Sequence, residues 1–355
     1  LRTRSLFQSW GSLAQKSPIF RGVTVPAVVA AGDRRAAKAV YGESKVYLEL
    51  GGLPLVAHVV AALQRVPEVS EVWVVGDPER LAEALGSERL RAELRKPLHI
   101  IPQFRNLYEN AWESYRRLLP GAGPQGRDPG PADEDLQVLY LSADLPFATP
   151  QEIGAFVREG MRLDVSYALG LVSEEAMTDF APRDPGEPGI RMAYFNLREG
   201  RFRQSNLHLV RPARIVNRHY IEEMYEHRYQ KQFGNIVGLA WRLLRDERGG
   251  VAILYYYGLM HLAAILDRWG LRRLADVVRG RIPIQRIEAG VSTLLRASFR
   301  FVATQAGGCA VDIDNEEDFD AARARFEQWR ALQQARAERL YGPVALPASA
   351  GGSGP

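Results

Sequence analysis

Four short apolar runs, each followed by a segment with helical or turn character, constrain this chain more than any other feature. They are residues 26–31 (PAVVAA), residues 71–76 (EVWVVG), Leu98–Pro102 (LHIIP) and Val138–Ser142 (VLYLS). Their length and residue types fit buried strands better than helices. Between them, residues 53–66, a segment from Pro78 and residues 107–119 read as helices. Thr149, with Glu152 three residues on, marks the N-cap of another. Strands that alternate with helices predict an α/β fold, a mostly parallel Rossmann-like sheet flanked by helices. Ligands of such sheets bind beyond the carboxyl ends of the strands. Gly32 and Asp144 stand at two of these ends.

Residues 121–135 form a Pro/Gly/Asp loop, and residues 164–200 carry no clear pattern. Residues 201–210 read as extended and residues 217–280 as helices. Residues 299–304 and 308–313 return to strand character, and residues 315–340 form a charged helix. The expected organisation is one α/β domain over residues 25–340, with a helical insertion near 215–295 before the last strands. Residues 1–24 are an N-terminal extension and residues 341–355, rich in Gly, Pro, Ser and Ala, a disordered tail.

With 46% hydrophobic and 25% charged residues in 355, the chain can bury one large core. A net charge of +4 is too small to imply a nucleic-acid partner. The single cysteine, Cys309, excludes an internal disulfide framework and a cysteine-rich metal site, and fits a cytoplasmic location. The N-terminal stretch has no continuous apolar core and does not read as a secretory signal. Residues 251–266 carry no charge but are shorter than the roughly 20 residues a membrane-spanning helix needs. A buried helix, a helix on a membrane surface and a homodimer interface all fit this segment. The basic helices flanking it suit peripheral contact with anionic lipid.

The chemistry-bearing residues cluster at the strand ends. Ala30-Ala31-Gly32 closes the first strand, where a glycine permits positive φ and lets backbone N–H groups approach an anion. Arg34, Arg35 and Lys38 add positive charge, and Lys45 adds a point charge suited to phosphate. Neither GxxxxGK[ST] nor GxGxxG occurs here. Asp144 ends the fourth strand, and Asp312 and Asp314, two apart, share one face if their segment is a strand. Hard oxygen ligands suit Mg²⁺, which also takes substrate phosphates. The same aspartates read equally as helix caps, and residues 312–320 include a helix start.

Taken together and in this order, the motifs resemble the MobA-like NTP transferases, the sugar-phosphate and cofactor nucleotidyltransferases with a GT-A-like fold. The family opens with Ala-Ala-Gly-x-Gly-x-Arg and then Pro-Lys. Ala30-Ala31-Gly32 matches the start, and Ser44-Lys45-Val46-Tyr47-Leu48 with Gly51-Gly52-Leu53-Pro54-Leu55 matches the lysine, strand and turn. Leu141-Ser142-Ala143-Asp144-Leu145-Pro146-Phe147 resembles the metal-aspartate strand, and Asp312-Ile313-Asp314-Asn315-Glu316-Glu317-Asp318-Phe319 the closing aspartate motif. Asn106 to Asn110 resembles the segment that helps enclose the nucleotide, and Gln204-Ser205-Asn206-Leu207 the segment lining the acceptor side. Three positions depart from the pattern: Arg34 stands at the second glycine, Ala36 at the arginine and Ser44 at the proline.

The resemblance implies Mg²⁺-dependent transfer of a nucleoside monophosphate from an NTP to a phosphorylated small-molecule or lipid-precursor acceptor, with release of pyrophosphate. Ala30, Ala31, Gly32, Arg34, Arg35, Lys45 and Asn110 would hold the nucleotide, with Lys45 and Arg35 catalytic. Asp144 and Asp314, then Asp312, would hold the metal, and Ser205 and Asn206 would line the acceptor. A GT-A-type glycosyltransferase and a non-catalytic nucleotide-binding protein on the same fold are the alternatives.

Overall fold

The computed structural model describes residues 22–33, 39–184, 186–221 and 250–344. Its sheet is built from β1 (Val25–Ala30), β2 (Val69–Gly76), β3 (Leu98–Pro102), β4 (Val138–Ser142), β5 (Tyr167–Ser173), β6 (Phe195–Leu197), β7 (Gly200–Val210) and β8 (Phe299–Thr304). The spatial order is β8-β5-β7-β4-β1-β2-β3, with β6 paired to β7. β1 pairs in parallel with β2 and β4, β2 with β3, and β5 with β8. β7 runs antiparallel to β4, β5 and β6, so the sheet is mixed, with a parallel majority around β1. The register of β1 against β2 shifts between Val25 and Ala27, at Pro26, which has no N–H to give the ladder.

The main helices are α1 (Leu55–Gln64), α2 (Pro78–Ala84), α3 (Leu107–Leu118), α4 (Pro150–Leu163), α5 (Gly250–Arg268), α6 (Arg272–Arg279), α7 (Ile284–Leu295) and α8 (Glu316–Tyr341). Strand alternation assigns the two faces. Val29, Val74 and Leu141 join Leu207 and Leu209 of β7, Val59 and Leu63 of α1 and Phe156 of α4 in one cluster. The adjacent Val28, Val75 and Tyr140 turn to the other face and meet Tyr115 of α3. On that side, Leu171 of β5 and Phe202 of β7 are covered by Ile282, Ile284 and the α5 residues Tyr256, Leu259 and Met260. The uncharged segment is therefore one helix with a packed face. Its Tyr255, Tyr257, Leu262 and Ile265 are exposed. No helix among the described residues is long and apolar enough to cross a membrane.

α8 is anchored at the carboxyl end of β4. Trp329, fully buried, packs against Phe147 and Phe180 at 5.5 and 5.1 Å between ring centroids and donates Nε1–H to the Asp179 carbonyl at 3.1 Å. Asn315 caps α8 by accepting from the Asp318 N–H at 2.9 Å.

The sequence pattern was misleading at residues 308–313. Expected as a strand, they form a 3₁₀ turn at Gly308–Ala310 followed by irregular chain. Two contacts account for this. The N–H groups of Gly307 and Cys309 donate to Glu152 of α4, at 3.0 and 3.2 Å, rather than to a neighbouring strand. Gly308 lies so close to β4's extension that a Cβ there would fall 2.0 Å from the Phe147 carbonyl oxygen. The unpatterned residues 164–200 hold β5, β6 and a short helix, Glu174–Met177. Of the helices expected over residues 217–280, residues 222–249 lie outside the described residues, as do residues 1–21 and the tail from 345.

Candidate functional site

The strand order reverses direction at β1, whose sequence neighbour β2 lies on one side and whose later partner β4 lies on the other. Crevices at such switch points take ligands in open α/β sheets. Gly32 follows β1 and Asp144 follows β4. The Ile313 N–H donates to the Asp144 carbonyl at 3.3 Å, which brings the segment after β8 to the same crevice. Asp144, Asp312 and Asp314 then each offer a carboxylate oxygen within 4.8 Å of the others. They converge although Asp312 and Asp314 do not lie on a strand.

Lys45 sits among them. Its Nζ pairs with the Asp144 carboxylate and lies 2.9 Å from Asp314 Oδ1. It arrives there from a 3₁₀ turn, Lys45–Tyr47, after a small hairpin, Ala39–Val40 with Glu43–Ser44. The hairpin leans on the start of α8: Tyr41 N–H donates to Glu316 at 3.2 Å and Tyr41 O–H to Asp320 at 2.5 Å. Burial alone would lower the Lys45 pKa, but the charges of Asp144 and Asp314 outweigh it and raise it, so the ammonium persists. Asp312 is paired differently. Arg203 of β7 donates Nε–H to the Ala310 carbonyl at 2.8 Å and another N–H to the Asp312 carboxylate. The Asp312 pKa is raised, first by burial and then by the charge of Asp144, with Arg203 opposing. Ser142 O–H donates to the Asp144 carboxylate. Two carboxylates close to an ammonium, with a third tied to a guanidinium, form a hard-oxygen cluster whose mutual repulsion a divalent cation would relieve.

The glycine here answers to close packing rather than to φ. Gly32 does not take positive φ. A Cβ there would lie 3.1 Å from both Asn110 Nδ2 and Gln103 Oε1, so the position has little room for a side chain. Asn110 Oδ1 accepts from the Phe104 N–H at 2.6 Å, which sets its amide nitrogen against Gly32. Gln103 Oε1 accepts from the Asp33 N–H at 2.9 Å while Nε2 donates to the Asp33 carboxylate at 2.6 Å. Ala30 and Ala31 belong to the wall rather than the opening: Ala30 accepts from the Ala143 N–H and Ala31 donates to Val75. Arg34 and Arg35 lie outside the described residues. On β7, the pairing with β5 shifts between Gln204 and His208, across Ser205 and Asn206. Asn206 is half-buried and precedes Leu207, the partner of Leu141, so it is level with Ser142. Ser205 is fully buried, and its Oγ occupies the space over Gly170.

The structure thus brings Gly32, Lys45, Asn110, Asp144, Asp312 and Asp314 to one end of the sheet. It adds Gln103, Glu152, Arg203 and Gly308, which sequence reasoning missed. Glu152 was visible only as a capping residue. Thr149 does cap α4 by accepting from the Glu152 N–H at 3.4 Å, but the Glu152 carboxylate reaches the 307–309 loop.

Residues 27–168 match the model of the MobA-like NTP transferase domain. The match contains Gly32, Lys45, Asn110 and Asp144, while Asp312 and Asp314 lie beyond it. A curated relative, 2-C-methyl-D-erythritol 4-phosphate cytidylyltransferase of Chlorobium luteolum, is 26% identical over 131 residues, 37% of this chain and 52% of the relative. The chain therefore spans about half the length of that relative. Among solved structures, a hypothetical transferase from Thermus thermophilus is 21% identical with a TM-score of 0.49, covering 83% of this chain and 99% of that one. The 4-diphosphocytidyl-2C-methyl-D-erythritol synthase of Anaerococcus prevotii is 13% identical with a TM-score of 0.43, covering 88% and 100%.

Proposed function

We propose that the chain is a divalent-metal-dependent nucleotidyltransferase that moves a nucleoside monophosphate from an NTP to a phosphorylated acceptor. The observation that carries this reading is the meeting of Asp144 and Asp314, far apart in the sequence, on the single ammonium of Lys45. That cation stands between two carboxylates at the switch point of a MobA-like domain.

The donor set is entirely carboxylate oxygen and fits Mg²⁺. Asp144 and Asp314 would hold the ion, with Asp312 kept to the side by Arg203. A bound Mg²⁺ supplies charge that neutralises phosphate oxygens and helps orient them. The chain's own residues supply the rest. Lys45, kept protonated, places a positive charge where the α-phosphate of the donor would lie. Gly32 and Asn110 form a narrow wall against which a nucleotide can close. Asn206, level with the end of β4, lies on the acceptor side. An acceptor phosphate oxygen attacks the α-phosphorus and forms the new P–O bond. The bond from that phosphorus to the bridging oxygen breaks, and pyrophosphate leaves with its electron pair. A phosphate nucleophile needs no general base.

The relative's name makes CTP and 2-C-methyl-D-erythritol 4-phosphate the first substrates to assay. The test is pyrophosphate release with Mg²⁺, each of the four NTPs and a panel of sugar, polyol and cofactor phosphates, for the wild type and Asp144→Ala. Release with one NTP that requires an acceptor and is lost in the variant is the expected result. Absence of any Mg²⁺-dependent thermal shift with all four NTPs would overturn the proposal without needing the acceptor.

A further inference from the structure

Most of the large apolar side chains exposed among the described residues fall within residues 255–277, on α5 and α6. Tyr255, Leu262, Ile265 and Trp269 follow one another at intervals of seven, three and four, so they share one face of a helix. Trp269 belongs to that face because its N–H still donates to the Ile265 carbonyl, at 3.0 Å. The chain then turns at Gly270, whose φ of 76° is the left-handed conformation that ends helices. The Leu271 N–H closes on the Leu266 carbonyl at 2.9 Å, and Leu271, Leu274 and Val277 follow at intervals of three. The exposed apolar run therefore passes from α5 through the turn onto α6. Trp269, at 71%, is the most exposed large apolar side chain among the described residues, and Val277 and Leu274 are 57% and 54% exposed.

Loose packing does not explain this face, because the inner side of the helix pair is complete. Tyr256, Leu259 and Met260 pack on the β5–β7 cluster, and Ala263 and Ala275 are fully buried. Arg279 of α6 ties the two helices together, with both Asp267 carboxylate oxygens at 3.2 Å, and reaches Asn196 of β6 at 3.3 Å. On α6 an alanine thus faces inward while Leu274 and Val277 face water. A fixed apolar face of this extent marks an interaction surface.

The charge on the same stretch indicates the partner. Its two acidic residues, Asp267 and Asp276, are both engaged by Arg279. Arg268, Arg272, Arg273 and Arg281 are exposed, and among the described residues none of them pairs with a carboxylate. Arg268 stands three residues after Ile265, and Arg273 and Arg281 stand four residues on either side of Val277, so cations border the apolar face directly. A second copy docked face to face would bring these unpaired cations against their own kind, which opposes a symmetric dimer here. An anionic lipid headgroup layer over an apolar interior satisfies both parts of the surface at once.

We propose that the outer face of α5 and α6 docks on an anionic lipid bilayer. Trp269, Leu274 and Val277 enter the boundary between headgroups and acyl chains, and the bordering arginines meet the lipid phosphates. No helix among the described residues is long and apolar enough to cross the bilayer, so the contact is with the surface of one leaflet.

The experiment is flotation of the full chain with phosphatidylcholine vesicles, with and without about one third phosphatidylglycerol. The wild type should float with the anionic vesicles and not with phosphatidylcholine alone. Arg268→Gln combined with Arg273→Gln should lower the partition about thirtyfold, from two arginines at the surface. Trp269→Ser combined with Leu274→Ser should lower it at least about tenfold. Both pairs change only exposed side chains, so their melting temperatures should match the wild type. Arg65→Gln with Arg339→Gln, exposed on α1's end and on α8, should float as the wild type does. No flotation of the wild type with anionic vesicles would overturn the proposal. Equal loss in the Arg65/Arg339 pair would overturn it too, by showing attraction through general charge. So would a wild-type dimer in light scattering that Trp269→Ser with Leu274→Ser dissociates while neither form floats, since the face would then join two copies.

Discussion

Replacing Glu152 tests whether the closing aspartates are held in place from α4. Its side chain is fully buried, and its two carboxylate oxygens accept from Gly307 N–H and Cys309 N–H, both also buried. Glu152→Ala leaves two buried donors without acceptors, at about 1–3 kcal/mol each. It also removes a first-turn carboxylate from a helix N-terminus, worth roughly 0.3–1 kcal/mol. The expected loss is about 2–7 kcal/mol, a large share of the roughly 5–15 kcal/mol that stabilises a domain. Glu152→Gln keeps one acceptor oxygen and should lose about half as much. Equilibrium unfolding in urea measures both, through the shift in midpoint at constant slope. Mn²⁺ titration of the folded variants adds the functional link, because the freed loop leads directly to Asp312 and Asp314. A loss under about 1 kcal/mol for Glu152→Ala, or a larger loss for the glutamine variant, would refute the reasoning. Unchanged Mn²⁺ affinity alongside the expected destabilisation would show that the aspartates are positioned by other contacts.

Three further outcomes are expected. Asp144→Asn and Asp314→Asn should each weaken Mn²⁺ binding at least about tenfold, while Asp312→Asn, already engaged by Arg203, should weaken it less; equal effects at 312 and 314 would mean that Arg203 does not withhold Asp312. Burial lowers the His208 pKa from 6.5 to about 4. Between those values the unfolded chain binds a proton that the native chain does not, so stability falls as pH drops through this window, by at most about 3 kcal/mol. His208→Gln should flatten that part of the pH–stability curve, and a wild-type slope in the variant would contradict the assignment. Gly32→Ala should weaken the Mg²⁺–NTP thermal shift, because its Cβ must displace Asn110 and Gln103; an unaltered shift would remove Gly32 from the nucleotide wall.

The parallel half of the sheet was legible because its signals are local. LHIIP and VLYLS became β3 and β4 with the same bounds, and residues 299–304 became β8. Asn315 caps α8 as a helix start at that point predicts. Gly32 and Asp144 could be placed at the crevice from sequence because any parallel strand directs its carboxyl end toward it. Where local pattern misled, a tertiary contact had overridden it. GCAVDI has the composition of a strand, yet its Cys309 N–H goes to Glu152, its Ile313 N–H to the Asp144 carbonyl, and its glycine fits beneath Phe147. Nothing within six residues encodes any of these contacts.

Arg203 shows the same limit at the site itself. On β7 it is one of several alternating polar residues, and Arg201, two positions away, pairs with Glu174 instead. Only the antiparallel placement of β7 between β4 and β5 brings Arg203 to Asp312, a residue 109 positions later. That pairing changes what the Asp-x-Asp motif means. Read as sequence, the two aspartates share one motif, and only the family resemblance ranks Asp314 ahead of Asp312. In the fold, Asp312 already has a cationic partner and is the more deeply buried, while Asp314 is half-exposed and faces Lys45. A metal entering the cluster would have to compete with a guanidinium for Asp312 but with a single ammonium for Asp314 and Asp144. A lysine can leave two carboxylates without breaking the packing around them, whereas Arg203 is also bound to the Ala310 backbone. The proposed choice of Asp144 with Asp314 therefore rests on which cation is the easier to displace.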